Sequence, residues 1–442
     1  MAGSVHDSQI YNKLFPAGDA ARLFTDSAEV RSMLIVEGAL AKAQGQLGLI
    51  PEESAQFIHR ASLEIPLDPG GLAAGAAQNG VPVPGLVAAF RKAMEAPEHA
   101  QYLHWGATSQ DIADTGQMLR LRQLLSLCET GLTTLLKALA VQAETHAELP
   151  MAGRTYGQFA TPVSFGSHVA AWGWPLLDLL EELPALRQSA LWVSLSGAAG
   201  TGAEFAGKGA ELRAALAEGL GLRDPGRSWH ADRGPVLRIA GWLTRLAQVL
   251  GKMGDDLILM AQSSVGEVRL GASGGSSTMP QKQNPVQPSV LVALARQVIG
   301  LNATLQGAGM PRQERDGAAW FTEWMTLPQL CLSAAAALET AQAAVPGLSP
   351  QAEAMAAVFS DSLGLLHAEA LSFRLAQTMP RPEAQAAVKT VAQQVIVTGR
   401  PLKELAQEAF PDADLEGLFD PARQMGDAPA TARAFAAKVA AL

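Results

Sequence analysis

Apolar side chains recur every three or four residues along most of the chain, which is the spacing of amphipathic helices. The longest such run, Val236–Val265, contains glycines but no proline, so we predict one long continuous helix there. Similar runs predict helices over Glu29–Leu49, Cys128–Ala147 and Phe165–Trp192. We expect Pro175 and Pro184 to kink or interrupt the last of these helices. The pattern predicts an all-α protein with a central bundle of long helices.

Few segments show the alternating pattern of apolar and polar residues that predicts a β-strand. The segments between the predicted helices are predicted to be loops or domain boundaries. Pro66–Pro84 and Gly271–Pro288 are rich in glycine, proline, alanine or serine and are predicted to be loops. Pro346–Pro350 is predicted to precede a smaller C-terminal helical domain. The domains that we predict are an N-terminal helical domain over 1–110, a central bundle over 111–348 with the loop 271–288, and a C-terminal helical domain over 349–442.

The amino-acid composition limits the partners and the cellular location that we expect for the chain. A net charge of −9 argues against nucleic acid or an anionic membrane as the main partner, although a local cationic pocket for a small anion remains compatible with it. Two cysteines without a CxxC pair indicate neither a disulfide framework nor a zinc site, and they favour a cytoplasmic location. No signal peptide or run of 18 apolar residues stands out. Charged residues make up only 17% of the chain, which hints at apolar faces buried between subunits.

The loop Gly271–Pro288 has the composition of a site that binds a carboxylate and moves a proton. Its glycines and serines supply flexible backbone, free N–H donors and hydroxyl groups. Lys282 adds a positive charge and Asn284 adds directional hydrogen bonds. On composition alone, a plain solvent-exposed linker explains the segment as well.

The order of residues favours the functional interpretation. The run Gly275-Ser276-Ser277-Thr278-Met279-Pro280-Gln281-Lys282-Gln283-Asn284-Pro285 resembles the G-S-S-x-M-P-x-K-x-N-P signature of the fumarase/aspartase superfamily at every fixed position. The resemblance implies that Ser276 transfers a proton to and from carbon, and that Lys282 is a second catalytic residue that holds the substrate carboxylate with Asn284. Ser277 and Met279 are implied to contact substrate. It also implies homotetramers with active sites shared between subunits, and a small tricarboxylate or related acid as substrate. No metal-ligand cluster and no GxGxxG after a strand is visible in the sequence, so we expect no cofactor.

Two further blocks resemble the same superfamily in the expected order. His104–Asp111 is similar to its H-x-G-x-T-S-x-D block, which implies substrate binding by Thr108, Ser109 and Gln110. An ordinary helix N-cap by Thr108 or Ser109 is the alternative, and both can hold because helix N-termini bind anions. Gly153–Pro162 is similar to the G-R-T-H-x-Q-x-A-x-P block, which implies substrate contacts from Thr155, Tyr156 and Gln158.

The chain departs from the common pattern where most members pair a histidine with a glutamate. Tyr156 stands in place of the histidine, and Ser289 stands in place of the glutamate seven residues after Lys282. The segment Gln78–Val87 also lacks the additional catalytic histidine of adenylosuccinate lyases. These departures resemble the muconate cycloisomerase branch, which implies reversible lactonisation of a carboxymuconate.

Three more residues are candidate substrate ligands. Arg233 and Arg315 have the guanidinium fork that matches a carboxylate, with surface ion pairs to Asp232 and Asp316 as the alternative. His230 is either a further ligand or a structural histidine. Two rival functions stay open: a lyase of the same superfamily that releases fumarate, and a non-catalytic scaffold or binding protein.

Overall fold

The computed structural model describes residues 3–271, 274–275, 279 and 282–442 of the chain. Helices hold 67% of the protein and strands 5%, so the prediction of an all-α fold is confirmed. The α-helices of the described residues are α1 (Asp26–Gln46), α2 (Glu52–Glu64), α3 (Ala73–Asn79), α4 (Val83–Ala93), α5 (Pro97–Ala100), α6 (Ser109–Thr145), α7 (Phe165–Ala190), α8 (Gly209–Leu220), α9 (Gly234–Met260), α10 (Val286–Gln306), α11 (Gly317–Ala344), α12 (Ala352–Asp361), α13 (Ala368–Leu375), α14 (Arg381–Thr398), α15 (Leu402–Ala409) and α16 (Ala428–Ala440).

The long helix predicted from Val236 is confirmed as α9, although it ends at Met260 rather than at Val265. Its predicted apolar stripe is buried apart from the half-buried Leu237. The helix predicted over Glu29–Leu49 corresponds to α1. The one predicted from Cys128 begins 19 residues earlier, because α6 starts at Ser109. Burial of such apolar stripes, rather than intrinsic propensity, supplies most of the stability of helices in proteins.

The structure contradicts an interruption of α7 at its prolines and a loop over Pro66–Pro84, while a kink of α7 stays a prediction. The helix α7 continues through Pro175 and Pro184 without a break. Buried Trp172 and Leu176 on this helix show that tertiary packing outweighs the lost hydrogen bonds. The segment Pro66–Pro84 is mostly short helices rather than a loop, because its alanines favour α3 and the Asp68 carboxylate caps the preceding 3-10 turn at the Gly70 N–H.

The strands are short and pair antiparallel. They are β1 (Pro150–Thr155) with β2 (Gln158–Ser164), β3 (Val268–Arg269) with β6 (Ser349–Pro350), and β4 (Gly274–Gly275) with β5 (Gln283–Asn284). The hairpin of β1 and β2 turns at Tyr156 and Gly157, where φ is +52° and +74°. Positive φ at both central residues is the geometry of a two-residue type I′ turn.

The chain divides into two compact units. The first contains Met1–Gly131, Leu179–Gln248 and Ala293–Glu339, and the second contains Leu132–Asp178, Val249–Val292 and Thr340–Leu442. Within the first unit, α1 and α2 pack closely, since a Cβ at Gly38 would overlap the Ser62 hydroxyl. Within the second unit, residues from α13, α14 and α15 form a hydrophobic cluster of their own.

Among the described residues, two helical stretches meet a length and hydropathy criterion for membrane spans, Ser109–Thr145 and Val286–Gly309. About half of the most apolar window in each is buried inside the protein. Core helices of soluble proteins meet the same criterion, so these two stretches are weak evidence for a membrane protein.

Candidate active site

The carboxylate of Asp111 organises the start of α6 in the first unit. The residue is fully buried, and its oxygens accept hydrogen bonds from the backbone N–H groups of Thr108 at 3.0 Å, Ser196 at 2.9 Å and Gly197 at 2.9 Å. His230 donates from Nε2 to Asp111 at 2.7 Å. One carboxylate therefore ties the N-terminus of a 37-residue helix to the glycine-rich segment after Val193 and to His230.

Arg315 lies against this helix start. Its Nε donates to Gln110 Oε1 at 3.0 Å, and its Nη2 donates to Thr108 Oγ1 at 3.0 Å and to the Ala198 carbonyl at 2.9 Å. These bonds leave Nη1 of the exposed guanidinium available to an anion. Thr108 and Ser109 are half-buried beside it at the positive end of the α6 dipole. Asp316 pairs with Arg312 instead, so the alternative of an Arg315–Asp316 ion pair is wrong.

The structure places Gln110, a predicted substrate ligand, inside the protein. The residue is only 2% exposed. Its Nε2 donates to Asp114 at 3.1 Å and to the His230 carbonyl at 3.0 Å, while its Oε1 accepts from Arg315. Because both amide hydrogens and the oxygen already bind protein groups, the side chain supports Arg315 rather than substrate.

The side chain of Arg233 also bonds to groups inside the protein. Its guanidinium bonds to both oxygens of Asp114, at 2.7 and 3.1 Å, and to both oxygens of Glu323, at 2.6 and 2.7 Å. All three side chains are at most 2% exposed. The alternative of an ion pair with Asp232 is wrong, because Asp232 pairs with Arg227. Substrate binding by Arg233 stays a prediction, which these buried contacts do not support.

These contacts shift the pKa values of the buried groups. Burial alone would lower the pKa of Arg233, but Asp114 and Glu323 raise it well above its ordinary value. Burial raises the pKa of Glu323, against the opposing effect of Arg233. The indole of Trp229 covers the guanidinium at 4.8 Å and excludes water from it.

His230 is also enclosed, since its side chain is 2% exposed. Nε2 is bonded to Asp111, and the buried Nδ1 has no partner among the described residues. Direct contact of this ring with substrate stays a prediction, which the burial of the ring does not support. Its structural role, in contrast, follows from the Asp111 bond and from the His230 carbonyl that accepts from Gln110.

The hairpin of β1 and β2 carries the second predicted group, in the second unit. Thr155, Tyr156 and Gln158 are all exposed at its tip. Behind the tip, the guanidinium of Arg154 forms two hydrogen bonds, of 2.9 and 2.8 Å, with the fully buried carboxylate of Glu267. Glu267 lies four residues before Gly271, so this ion pair fixes the hairpin to the segment that leads into the signature loop.

The described part of the signature loop lines one cavity of about 980 Å³. Met279, Lys282 and Asn284 contribute to its wall, together with Arg269 from β3. The Lys282 N–H donates to the Met279 carbonyl at 3.0 Å, and β4 pairs with β5 on either side. Ser276 and Ser277 lie outside the described residues.

The chain is similar to known lyases and isomerases over most of its length. A family model described as Lyase matches residues 16–300. The 3-carboxy-cis,cis-muconate cycloisomerase of Pseudomonas aeruginosa is 38% identical over 96% of this chain and 95% of that protein. The chain belongs to the fumarase/aspartase superfamily.

Other superfamily members cover the chain as fully. The nitrosuccinate lyase of Streptomyces davaonensis is 33% identical over 96% of this chain and 94% of that protein. The crystal structure of the 3-carboxy-cis,cis-muconate lactonizing enzyme from Pseudomonas putida matches with a TM-score of 0.90 at 34% identity, covering 98% of this chain and 99% of that chain. The resemblance inferred from the signature blocks is thereby confirmed.

The sequence did not reveal the two acidic partners of Arg233, which are Asp114 and Glu323. Neither Asp114 on α6 nor Glu323 on α11 has a lysine or arginine three or four residues away on its own helix, so the sequence gave no sign of a cationic partner. For Glu323, the available signal was a carboxylate in a mainly apolar stretch of α11. In the part of the chain that the structure describes, no three histidine, cysteine, aspartate or glutamate side chains cluster as metal ligands.

A pH-dependent contribution to stability is expected from His104 and Glu37, whose Nδ1 and Oε1 atoms are 2.6 Å apart. Burial alone would lower the pKa of His104, but Glu37 and, to a smaller extent, Asp111 raise it overall. The resulting stabilisation is fully present below the unfolded pKa, about 6.5, and is lost as pH rises through the folded pKa.

Replacing Glu37 by glutamine should therefore lower the free energy of unfolding most at about pH 5.5–6 and least at about pH 8.5. Denaturant titrations at a series of pH values measure the difference from wild type, with the exposed Glu53→Gln variant as control. A difference that stays constant or grows with pH would contradict the assignment.

Proposed function

We propose that this protein is a 3-carboxy-cis,cis-muconate cycloisomerase of protocatechuate catabolism, the β-ketoadipate pathway, and that it forms 4-carboxymuconolactone reversibly. The observation that carries the proposal is the near full-length similarity to cycloisomerases, at 38% identity for the Pseudomonas aeruginosa protein. The replacement of the usual histidine and glutamate by Tyr156 and Ser289 agrees with it.

The chemistry explains why such a site can dispense with the histidine–glutamate pair. In the lactonisation, a carboxylate oxygen bonds to an alkene carbon and the neighbouring carbon receives a proton. In the reverse direction, a base removes that proton and the ring oxygen leaves as a carboxylate. A carboxylate is a good leaving group that needs little protonation, whereas an amine or hydroxide needs an acid.

The proposed roles follow the charge that develops during the reaction. An enolate-like intermediate with extra negative charge forms next to a substrate carboxylate, and Lys282 with Asn284 would stabilise it. Ser276 would carry the proton, with Lys282 and nearby N–H donors lowering its pKa. Thr108, Ser109 and Arg315 would bind one further carboxylate, with Thr155, Tyr156, Gln158, Ser277 and Met279 completing the site.

The assembly and location are part of the proposal. We infer a homotetramer in which subunits share active sites, consistent with exposed apolar side chains such as Met310 and Met325, which are 79% and 63% exposed in the single chain. The proposal includes an N-terminal domain over 1–110, a central domain over 111–348 and a C-terminal domain over 349–442. It also includes a cytoplasmic location. The small-carboxylate substrate class agrees with the superfamily relatives.

Purified protein mixed with 3-carboxy-cis,cis-muconate, without added metal or nucleotide, tests the proposal. The ultraviolet absorbance of the conjugated diene should fall, and NMR should identify the lactone. No change would refute the assignment. Fumarate release from adenylosuccinate or argininosuccinate would then favour a lyase, the alternative that the nitrosuccinate lyase relative supports. Tight binding without turnover would favour a non-catalytic role.

A further inference from the structure

We propose that the buried carboxylate of Asp114 positions the substrate-binding Arg315 by fixing the orientation of the Gln110 amide, and that Arg233 and Glu323 hold Asp114 in place for this purpose. The inference rests on the proposed function, because Arg315 is taken as a ligand of a substrate carboxylate. Asp114, Arg233 and Glu323 act through other residues and are positioning residues.

The orientation of the Gln110 amide follows from its neighbours. A carboxylate and a carbonyl can only accept hydrogen bonds, and Nε2 faces both Asp114 Oδ2 at 3.1 Å and the His230 carbonyl at 3.0 Å. The NH2 group must therefore point to Asp114. The amide oxygen consequently faces Arg315, where it accepts from Nε at 3.0 Å.

If the Gln110 amide rotated, its NH2 group would face the Nε–H of Arg315, and no hydrogen bond could form between them. If Asp114 lost its charge, one of the two acceptors that hold Nε2 would weaken, and the amide could turn by 180°. Nε2 would then meet the Nε–H of Arg315, two donors facing each other. Arg315 would leave Gln110, and its remaining bonds to Thr108 and Ala198 do not fix the plane of the guanidinium as three bonds do.

The ion network around Asp114 holds that carboxylate in a fixed position. Arg233 binds it through two hydrogen bonds and is itself held by Glu323, with all three groups at most 2% exposed. Burying three ionised groups costs desolvation free energy that apolar side chains would avoid, so stability alone does not account for the network. Fixing Gln110, and through it Arg315, gives the network a function.

The test is a double-mutant cycle on Asp114→Asn and Arg315→Lys, read as KM and kcat for 3-carboxy-cis,cis-muconate. Asp114→Asn should raise KM about tenfold or more, because displacing a binding group by about 1 Å can cost a hundredfold. In the Arg315→Lys background, the same substitution should change KM less than about threefold. A merely structural role would give the same KM change in both backgrounds, and that outcome overturns the proposal.

Two companion variants sharpen the test. Gln110→Met removes the amide and should reproduce the rise in KM, which keeps the test decisive if Asp114→Asn does not fold. Glu182→Gln breaks an exposed Arg–Glu pair with Arg245 in the same unit and serves as the control with unchanged KM.

Crystal structures of the variants separate this proposal from the proposed function. In Asp114→Asn and Gln110→Met, the Arg315 side chain should leave its wild-type rotamer. If wild type does not convert the substrate, the proposed function fails, but these structures still decide the positioning role. An unchanged Arg315 side chain in both variants would refute it.

Discussion

The Ser276→Ala variant is expected to lose about 10²–10⁴-fold in kcat for lactonisation while keeping its fold and assembly. The expectation comes from the general acid–base role proposed for this hydroxyl, since such proton transfers contribute rate factors of that size. KM should change little, because the carboxylate contacts assigned to Lys282, Asn284 and Arg315 remain. Loss of diene absorbance measures the rate, and circular dichroism checks the fold.

The matched control for this variant is Ser263→Ala. Ser263 lines the same cavity as Lys282 and Asn284 but is assigned no proton transfer. Its kcat should stay within about threefold of wild type. If Ser276→Ala keeps a rate within about tenfold of wild type, another group carries the proton and the catalytic assignment fails.

The Arg233→Met variant should show the largest loss of stability. The substitution leaves the carboxylates of Asp114 and Glu323 buried without a counter-charge, and breaking a buried ion pair in this way costs about 3–5 kcal/mol. Denaturant unfolding at a fixed protein concentration measures the loss. Adding Glu323→Leu should restore part of it, because one of the uncompensated charges is removed.

The pH dependence of the free energy of unfolding identifies why Arg233→Met is less stable than wild type. Burial already raises the pKa of Glu323 against the opposing effect of Arg233, so this pKa should rise further without Arg233. A carboxyl group with a raised folded pKa contributes stability that is present at low pH and lost as pH rises. The deficit of Arg233→Met relative to wild type should therefore shrink between about pH 7 and about pH 5. A deficit independent of pH would indicate that lost packing, not uncompensated charge, is responsible.

The fold was predictable where the hydrophobic pattern is long and regular. Both α9 and α1 follow from the spacing of apolar residues, and α9 presents one apolar face to the core. The helix α1 is buried around most of its circumference, including Glu37 and Gln44. The β1–β2 hairpin was missed, since its turn is Tyr156-Gly157 rather than the common Asn-Gly or Asp-Gly. The continuity of α7 through Pro175 and Pro184 was missed because burial outweighs local propensity.

The sequence shows which residues have side chains that can bind a carboxylate, but it does not show which groups these side chains contact in the fold. Arg233 was predicted to bind a substrate carboxylate, whereas the structure pairs it with Asp114 and Glu323, which lie 119 and 90 residues away in sequence. Pairing at such separations depends on how helices pack, which local patterns do not encode. The same holds for Gln110, whose hydrogen-bonding capacity is used by neighbours that only the folded chain brings together.

The proton balance of the reaction tests the proposed lactonisation most directly. Lactonisation turns one carboxylate of a trianion into an ester and adds one proton to carbon, so one proton should be taken up for each diene lost. Simultaneous recording of diene absorbance and of pH in a weakly buffered solution measures this ratio. We expect a ratio of one with wild type and a greatly slowed reaction with Ser276→Ala. Loss of the diene without proton uptake, or no reaction at all, would contradict the proposed lactonisation.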